Sequence, residues 1–99
     1  MKLLQPEKHF VIVAYDIVNN RRRNRIFKKL KGLGFPMQKS VFECLLTDEQ
    51  IRRMTQVLKK ELDDEKDTIR IYVLPLEFKE HLTILGTGDT LQDPPVIIV

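Results

Sequence analysis

An uninterrupted apolar run, Phe10-Val-Ile-Val-Ala-Tyr15, limits the folds open to this chain more than any other stretch. It is short, β-branched and apolar at every position, the pattern of a strand buried within a sheet. The run closes on an acid, Asp16, after which Asn19 or Asn20 supplies an N-cap for a helix. Within that helix Ile26, Leu30 and Leu33 recur at i, i+4 and i+7 with Phe27 beside them. Gly32 and Gly34 mark its end.

The remaining segments repeat the theme. Phe35 to Leu46 reads as extended, with Val41–Leu46 the firmest strand. Thr47-Asp-Glu-Gln50 is a capping box that opens a second helix, with Ile51, Met54, Leu58 and Leu62 as its inner face. Asp63–Asp67 reads as a polar turn, and Thr68–Leu74 alternates like a half-buried strand until Pro75 stops it. His81–Leu85 predicts another short strand and Gly86-Thr-Gly88 a turn. The order β-α-β-α-β predicts an α+β sandwich with helices on one sheet face. Pro94-Pro95 leads to a final apolar stretch, Val96–Val99, which predicts a strand added to a sheet edge, either its own or that of a second copy.

Ninety-nine residues suit one domain over 1–99 with a modest core. No apolar run approaches the roughly 20 residues that span a bilayer, so no membrane association is expected. The first residues lack the apolar core of a secretory signal, and the lone Cys44 suits a reducing cytoplasm.

Charge is distributed unevenly. Eight of the 17 Lys/Arg fall between Asp16 and Lys39, where Asp16 is the single acid, while the whole chain carries only +3. A concentrated basic block indicates a local anionic partner such as nucleic acid; a solvated helix face would ordinarily mix both signs. Arg21, Arg22 and Arg23 stack cations on a helix start that is already electropositive, an arrangement suited to a bound anion. Asp16 beside them is a candidate Mg²⁺ ligand, which the arginines should hold ionised. One carboxylate makes a weak site, and two copies of Asp16 across a two-fold axis would strengthen it. Taken alone, an aspartate after a strand also serves as a cap or turn residue, and Tyr15 as a core or interface aromatic. Other chemistry is thin: His9 and His81 are isolated, Cys44 has no basic neighbour in sequence, and Ser40 sits in no nucleophile elbow.

Tyr15-Asp16-Ile17, Arg22-Arg23-Asn24-Arg25, Gly34-Phe-Pro-Met-Gln-Lys-Ser-Val-Phe-Glu43 and Ile69–Leu74 together resemble the CRISPR-associated protein two family over about residues 9 to 99. That resemblance implies a ferredoxin-like βαββαβ fold in which the Phe35–Leu46 segment bends into two strands. It implies a homodimer formed through the sheets, residues 1–8 as an N-terminal extension, and residues 94–99 as a strand that crosses to the partner. It implies a Mg²⁺ ion shared by the two Asp16, with Tyr15, Arg23, Arg25 and Phe42 at positions implicated in nuclease activity. Arg21, Arg22, Lys28 and Lys29 would join Arg23 and Arg25 in holding nucleic acid. Pro36-Met37 stands where the family often has an arginine.

The activity implied is a Mg²⁺-dependent endonuclease on single-stranded RNA or duplex DNA, acting in spacer acquisition in a prokaryotic cytoplasm. The alternative is a non-catalytic dimer that bridges the adaptation integrase and holds prespacer duplex DNA. A small-ligand regulatory module lacks a glycine-rich ligand turn and leaves the basic block without a purpose. A toxin-type ribonuclease on the same scaffold is a further reading.

Overall fold

The apolar run becomes β1 (Lys8–Asp16), and it lies inside a four-stranded antiparallel sheet. A computed structural model of the chain describes residues 7–38 and 40–86. After β1 come α1 (Asn20–Lys31), β2 (Phe35–Gln38), β3 (Val41–Thr47), α2 (Asp48–Glu61), β4 (Thr68–Leu74) and a 3-10 helix, Leu76–His81. The sheet order is β2-β3-β1-β4. Pro36, which has no N–H to donate, falls in an edge strand, and the β2–β3 register shifts beside it.

Period two along β1 divides its side chains between two environments. Val11, Val13 and Tyr15 join the core with Phe42, Cys44 and Leu46 of β3, and Ile69 and Ile71 of β4 pack against them. From α1 come Ile26 and Leu30, and from α2 Met54 and Leu58, so both helices cover this one face. Phe10, Ile12, Ala14 and Asp16 belong to the opposite face. There Phe10 and Leu45 are buried, with Ile12 and Leu74 packed against them. Glu43 shares that face and is 9% exposed, and its Oε1 has no hydrogen-bond partner among the described residues. Burial pushes the Glu43 carboxyl above its ordinary pKa.

The helix signals act at the positions expected. Asn19 is the α1 N-cap, accepting from the Arg22 N–H at 2.9 Å. The Thr47–Gln50 capping box is complete: the Gln50 N–H donates to Thr47 Oγ1, and the Thr47 N–H donates to Gln50 Oε1 at 2.8 Å. Cys44 is fully buried, and burial, with Glu43 adding to it, pushes its thiol up to about 12, in keeping with an inert core thiol.

Two glycines have different reasons. Gly32 caps α1 in an ordinary right-handed conformation with φ −76°. Gly34 is required by proximity: a Cβ there would stand 2.5 Å from Cys44 Sγ and 2.6 Å from the Glu43 carbonyl oxygen. The chain passes so close to β3 that no side chain fits.

The strand expected over His81–Leu85 does not form. Pro75 ends the β4 ladder, the chain coils through Leu76–His81, and residues 82–85 take no regular structure. Leu82, Ile84 and Leu85 stay exposed, with no sheet partner among the described residues. Gly86, at φ +82°, begins the expected turn, but Thr87 and Gly88 lie outside the described residues. So do residues 1–6 of the N-terminal extension, Lys39 and the terminal strand at 94–99, while Lys8 already belongs to β1.

Gly34→Ala should lower stability by about 1–3 kcal/mol through overpacking against β3. Thr47→Ala should cost about 1 kcal/mol through loss of the cap. Urea unfolding of each variant measures both, and a Gly34→Ala midpoint equal to wild type would contradict the close approach.

Candidate functional site

At the C-terminal end of β1 the alternation places Tyr15 in the core and Asp16 in solvent. Asp16 lines a shallow cleft with Ala14, Tyr15, Ser40, Val41, Thr68 and Arg70. Three strand ends meet here. Asp16 is paired with Thr68 of β4, Ala14 with Arg70 and Val41, and the Tyr15 N–H donates to the Ser40 carbonyl at 3.0 Å. Asp16 makes no ion pair among the described residues, so its carboxylate is free for an external cation.

Beneath the cleft the aromatic rings form a stack. Tyr15 lies at 6.3 Å and 28° to Phe42, and Phe27 meets Phe42 edge-on at 5.3 Å. Phe42 is fully buried, which makes it a support for Tyr15 with no surface toward the cleft. Burial raises the Tyr15 pKa above the ordinary phenol value, against an opposing effect of Arg23, so the phenol keeps its proton at neutral pH.

The arginines divide sharply by role. The Arg22 guanidinium donates through Nε to Asp67 Oδ2 and through Nη2 to Asp67 Oδ1 at 3.0 Å. Arg23 donates through Nη1 to the Ile17 carbonyl at 2.8 Å and through Nη2 to the Asn20 side chain. Arg25 reaches Glu61 of α2 at 3.5 Å. Arg21, Lys28 and Lys29 are exposed and make no ion pair among the described residues. The arginines beside Asp16 in sequence therefore do not clamp it: one braces the turn after it, one holds Asp67, one ties the helices. The start of α1 is capped from within the chain by Asn19, which satisfies part of the helix end that sequence offered to an anion. An open basin at this end is lined by Val18, Asn19, Asn20, Arg21, Arg22 and Lys66.

Asp67 is the residue that sequence reasoning passed over as turn polarity. Its side chain is fully buried and accepts from Arg22, from the Val18 N–H at 3.0 Å and from the Asp63 N–H at 2.9 Å. Arg22 above all, with these two backbone donors, holds the carboxyl well below the usual carboxylate range, and Asp67 in turn raises the Arg22 pKa. Arg70, Thr68, Ser40 and Lys66 were also missed. Arg70 and Thr68 could have been found by extending the alternation of β4 to its open face; Ser40 and Lys66 carry no sequence signal.

The donor set near Asp16 fits only a lightly held ion. Among the described residues no group of three His, Cys, Asp or Glu gathers anywhere. One exposed carboxylate with hydroxyls nearby suits Mg²⁺, which keeps several waters and takes few protein ligands. Among the described residues no helix is long and apolar enough to cross a membrane.

A small α+β sheet protein with a free strand-end acid and an adjoining basic helix is the class that these observations define. The family model for CRISPR associated protein Cas2 matches residues 9–80, and the chain belongs to that family. It is 39% identical over 82 residues to CRISPR-associated endoribonuclease Cas2 2 of Thermodesulfovibrio yellowstonii, covering 83% of this chain and 88% of that one. It is 38% identical over 87 residues to CRISPR-associated endoribonuclease Cas2 3 of Chloroflexus aurantiacus, covering 88% and 94%. Among solved structures, the hypothetical protein TT1823 from Thermus thermophilus matches with TM-score 0.75 at 32% identity, covering 86% of this chain and 99% of that one. Streptococcus pyogenes Cas2 at pH 6.5 matches with TM-score 0.70 at 28% identity, covering 78% and 99%.

The depressed Asp67 pKa fixes the sign of an acid effect. The stability it contributes is complete above about pH 5 and falls progressively below the ordinary value of about 3.9 toward the lower folded value. The thermal midpoint of wild type should therefore drop more steeply below about pH 4 than that of Asp67→Asn. Parallel curves across the acid range would remove Asp67 from this role.

Proposed function

We propose that this chain is a Mg²⁺-dependent endonuclease of CRISPR adaptation, cleaving phosphodiester bonds in single-stranded RNA or duplex DNA as a homodimer. The observation that carries this reading is Asp16: an exposed carboxylate at a strand end, without an ion pair among the described residues, framed by a polar cleft and next to a basic helix. The naming of several relatives as endoribonucleases supports the same class of chemistry. The βαββαβ order and the sheet order β2-β3-β1-β4 support a ferredoxin-like assignment.

A single Asp16 per chain favours a second copy that brings another. The exposed apolar residues Tyr72, Val73, Phe78, Leu82 and Ile84 support such an association, since a partner would take apolar surface out of water. Among the described residues β4 is an edge strand, and its outer side would take the terminal residues 94–99 of a second chain.

In the reaction, the paired Asp16 carboxylates would hold the ion. A bound Mg²⁺ supplies charge stabilisation at the phosphate and an activated water. Tyr15 sets the end of β1 from beneath, supported by Phe42. Arg23 holds the Ile17 carbonyl, and so the turn that follows the acid. Arg21, Lys28 and Lys29, with Lys66 beside the basin, are exposed cations without an ion pair among the described residues and suit contact with the nucleic-acid backbone.

The scaffold reading has its own observation in favour. Arg22, Arg23 and Arg25 are all engaged within the chain and Phe42 is in the core, which leaves surface cations suited to phosphate binding without chemistry. In that reading the dimer holds prespacer DNA between copies of the adaptation integrase.

Asp16→Asn should lower cleavage of RNA or duplex DNA by about 100-fold or more while binding persists. A Mg²⁺ titration on both substrates checks this, and equal cleavage by the variant would leave only the scaffold. Arg21→Glu with Lys28→Glu should weaken binding and flatten its dependence on salt, by about 0.9 in the logarithmic slope for each duplex phosphate no longer neutralised. Binding at several ionic strengths measures that slope.

A further inference from the structure

We propose that Asp67 is the positioning residue for Asp16, holding by its buried carboxylate the turn through which Asp16 is presented. The inference rests on the functional reading of Asp16 given above. Both oxygens of Asp67 are used, and their donors come from three separate segments. The Val18 N–H belongs to the turn two residues past Asp16, the Arg22 guanidinium to the first turn of α1, and the Asp63 N–H to the loop leaving α2. Asp67 also immediately precedes Thr68, the register partner of Asp16 across the β1–β4 ladder. One carboxylate thus controls the strand end from the covalent side of β4 and from the hydrogen-bonded side of the turn.

Buried charge makes this arrangement specific. The side chain of Asp67 is fully buried and that of Arg22 is 17% exposed, so neither can turn freely to water. Such a carboxylate keeps its charge only while its donors stay in place, and the donors are the elements flanking Asp16. Arg23, with its 2.8 Å bond to the Ile17 carbonyl, grips the same turn from the helix. The result is a turn held through the Ile17 carbonyl and the Val18 N–H, with Asp16 projecting just before it. An outer residue of this kind acts on metal affinity and rate without touching substrate.

The test uses the full chain with Asp67→Asn, Arg22→Gln and Arg22→Lys, with amide hydrogen exchange followed by NMR beside cleavage assays. In Asp67→Asn the Val18 amide should exchange about tenfold faster or more relative to Val13, which lies inside β1. The Mg²⁺ concentration for half-maximal cleavage should rise by about 10- to 100-fold, with affinity for substrate in the absence of metal nearly unchanged. Arg22→Lys, which retains a cation, should recover part of both effects that Arg22→Gln shows. If Val18 and Val13 accelerate in parallel, or the Mg²⁺ requirement stays at the wild-type value, Asp67 stabilises the fold only and the proposal is overturned. Should Asp67→Asn not fold, the contrast between Arg22→Lys and Arg22→Gln decides by the same two readouts. Wild type that cuts no faster than Asp16→Asn would defeat the nuclease reading by itself, while the Val18 exchange still decides whether Asp67 holds the turn.

Discussion

Alternation along β1 is the constraint on which the rest of the molecule depends. Because successive side chains leave a strand on opposite faces, burying Val11, Val13 and Tyr15 under the helices obliges Ile12, Ala14 and Asp16 to the other side. A one-residue slip would drive a carboxylate into the core and expose a tyrosine. The register is therefore enforced by the hydrophobic effect, and the position of the acid follows from where its neighbours are buried. Aromatic packing of Tyr15 on Phe42, and of Phe42 on Phe27, fixes the last pair of positions before the turn.

A second layer of control is electrostatic. A buried ion pair is weak support for stability in general, since desolvation offsets much of its attraction. Here the Asp67 carboxylate also satisfies two backbone donors, one from each of two separate loops. The pair adds polar geometry to a turn whose Ile17 is already anchored in the core. Arg22 and Arg23 thereby serve the fold on the side of the helix facing the turn, and Arg21, Lys28 and Lys29 remain for the solvent side. One basic segment carries both tasks because helical periodicity points adjacent arginines in different directions.

The family resemblance and the strand-end acid were legible in the residues themselves, and so were both helices, because caps and apolar spacing are local signals. The bend of Phe35–Leu46 into two strands came only from the resemblance, since no strong turn residues announce it. The short strand read over His81–Leu85 was an apolar pattern with no partner among the described residues, and a ladder cannot form from one strand. The helix-end role read for Gly34 was a packing requirement that depends on β3, a separate segment that only the folded sheet brings against it. Arg22 read as a phosphate ligand because its partner, Asp67, is 45 residues away along the chain.

Local chemistry by itself determined the first strand, both helices and their caps, the strand over Thr68–Leu74, the basic block and the position of Asp16 at the close of an apolar strand. Each depends on spacing within a few residues, which sequence carries directly. Only the tertiary structure decided which cations are free and which are spent on the fold, that Phe42 lies beneath the cleft, and that Asp67 is the buried hub beside it. Those outcomes depend on which distant groups share a dry space, where an ion must find its counterpart or leave. No run of neighbouring residues encodes that.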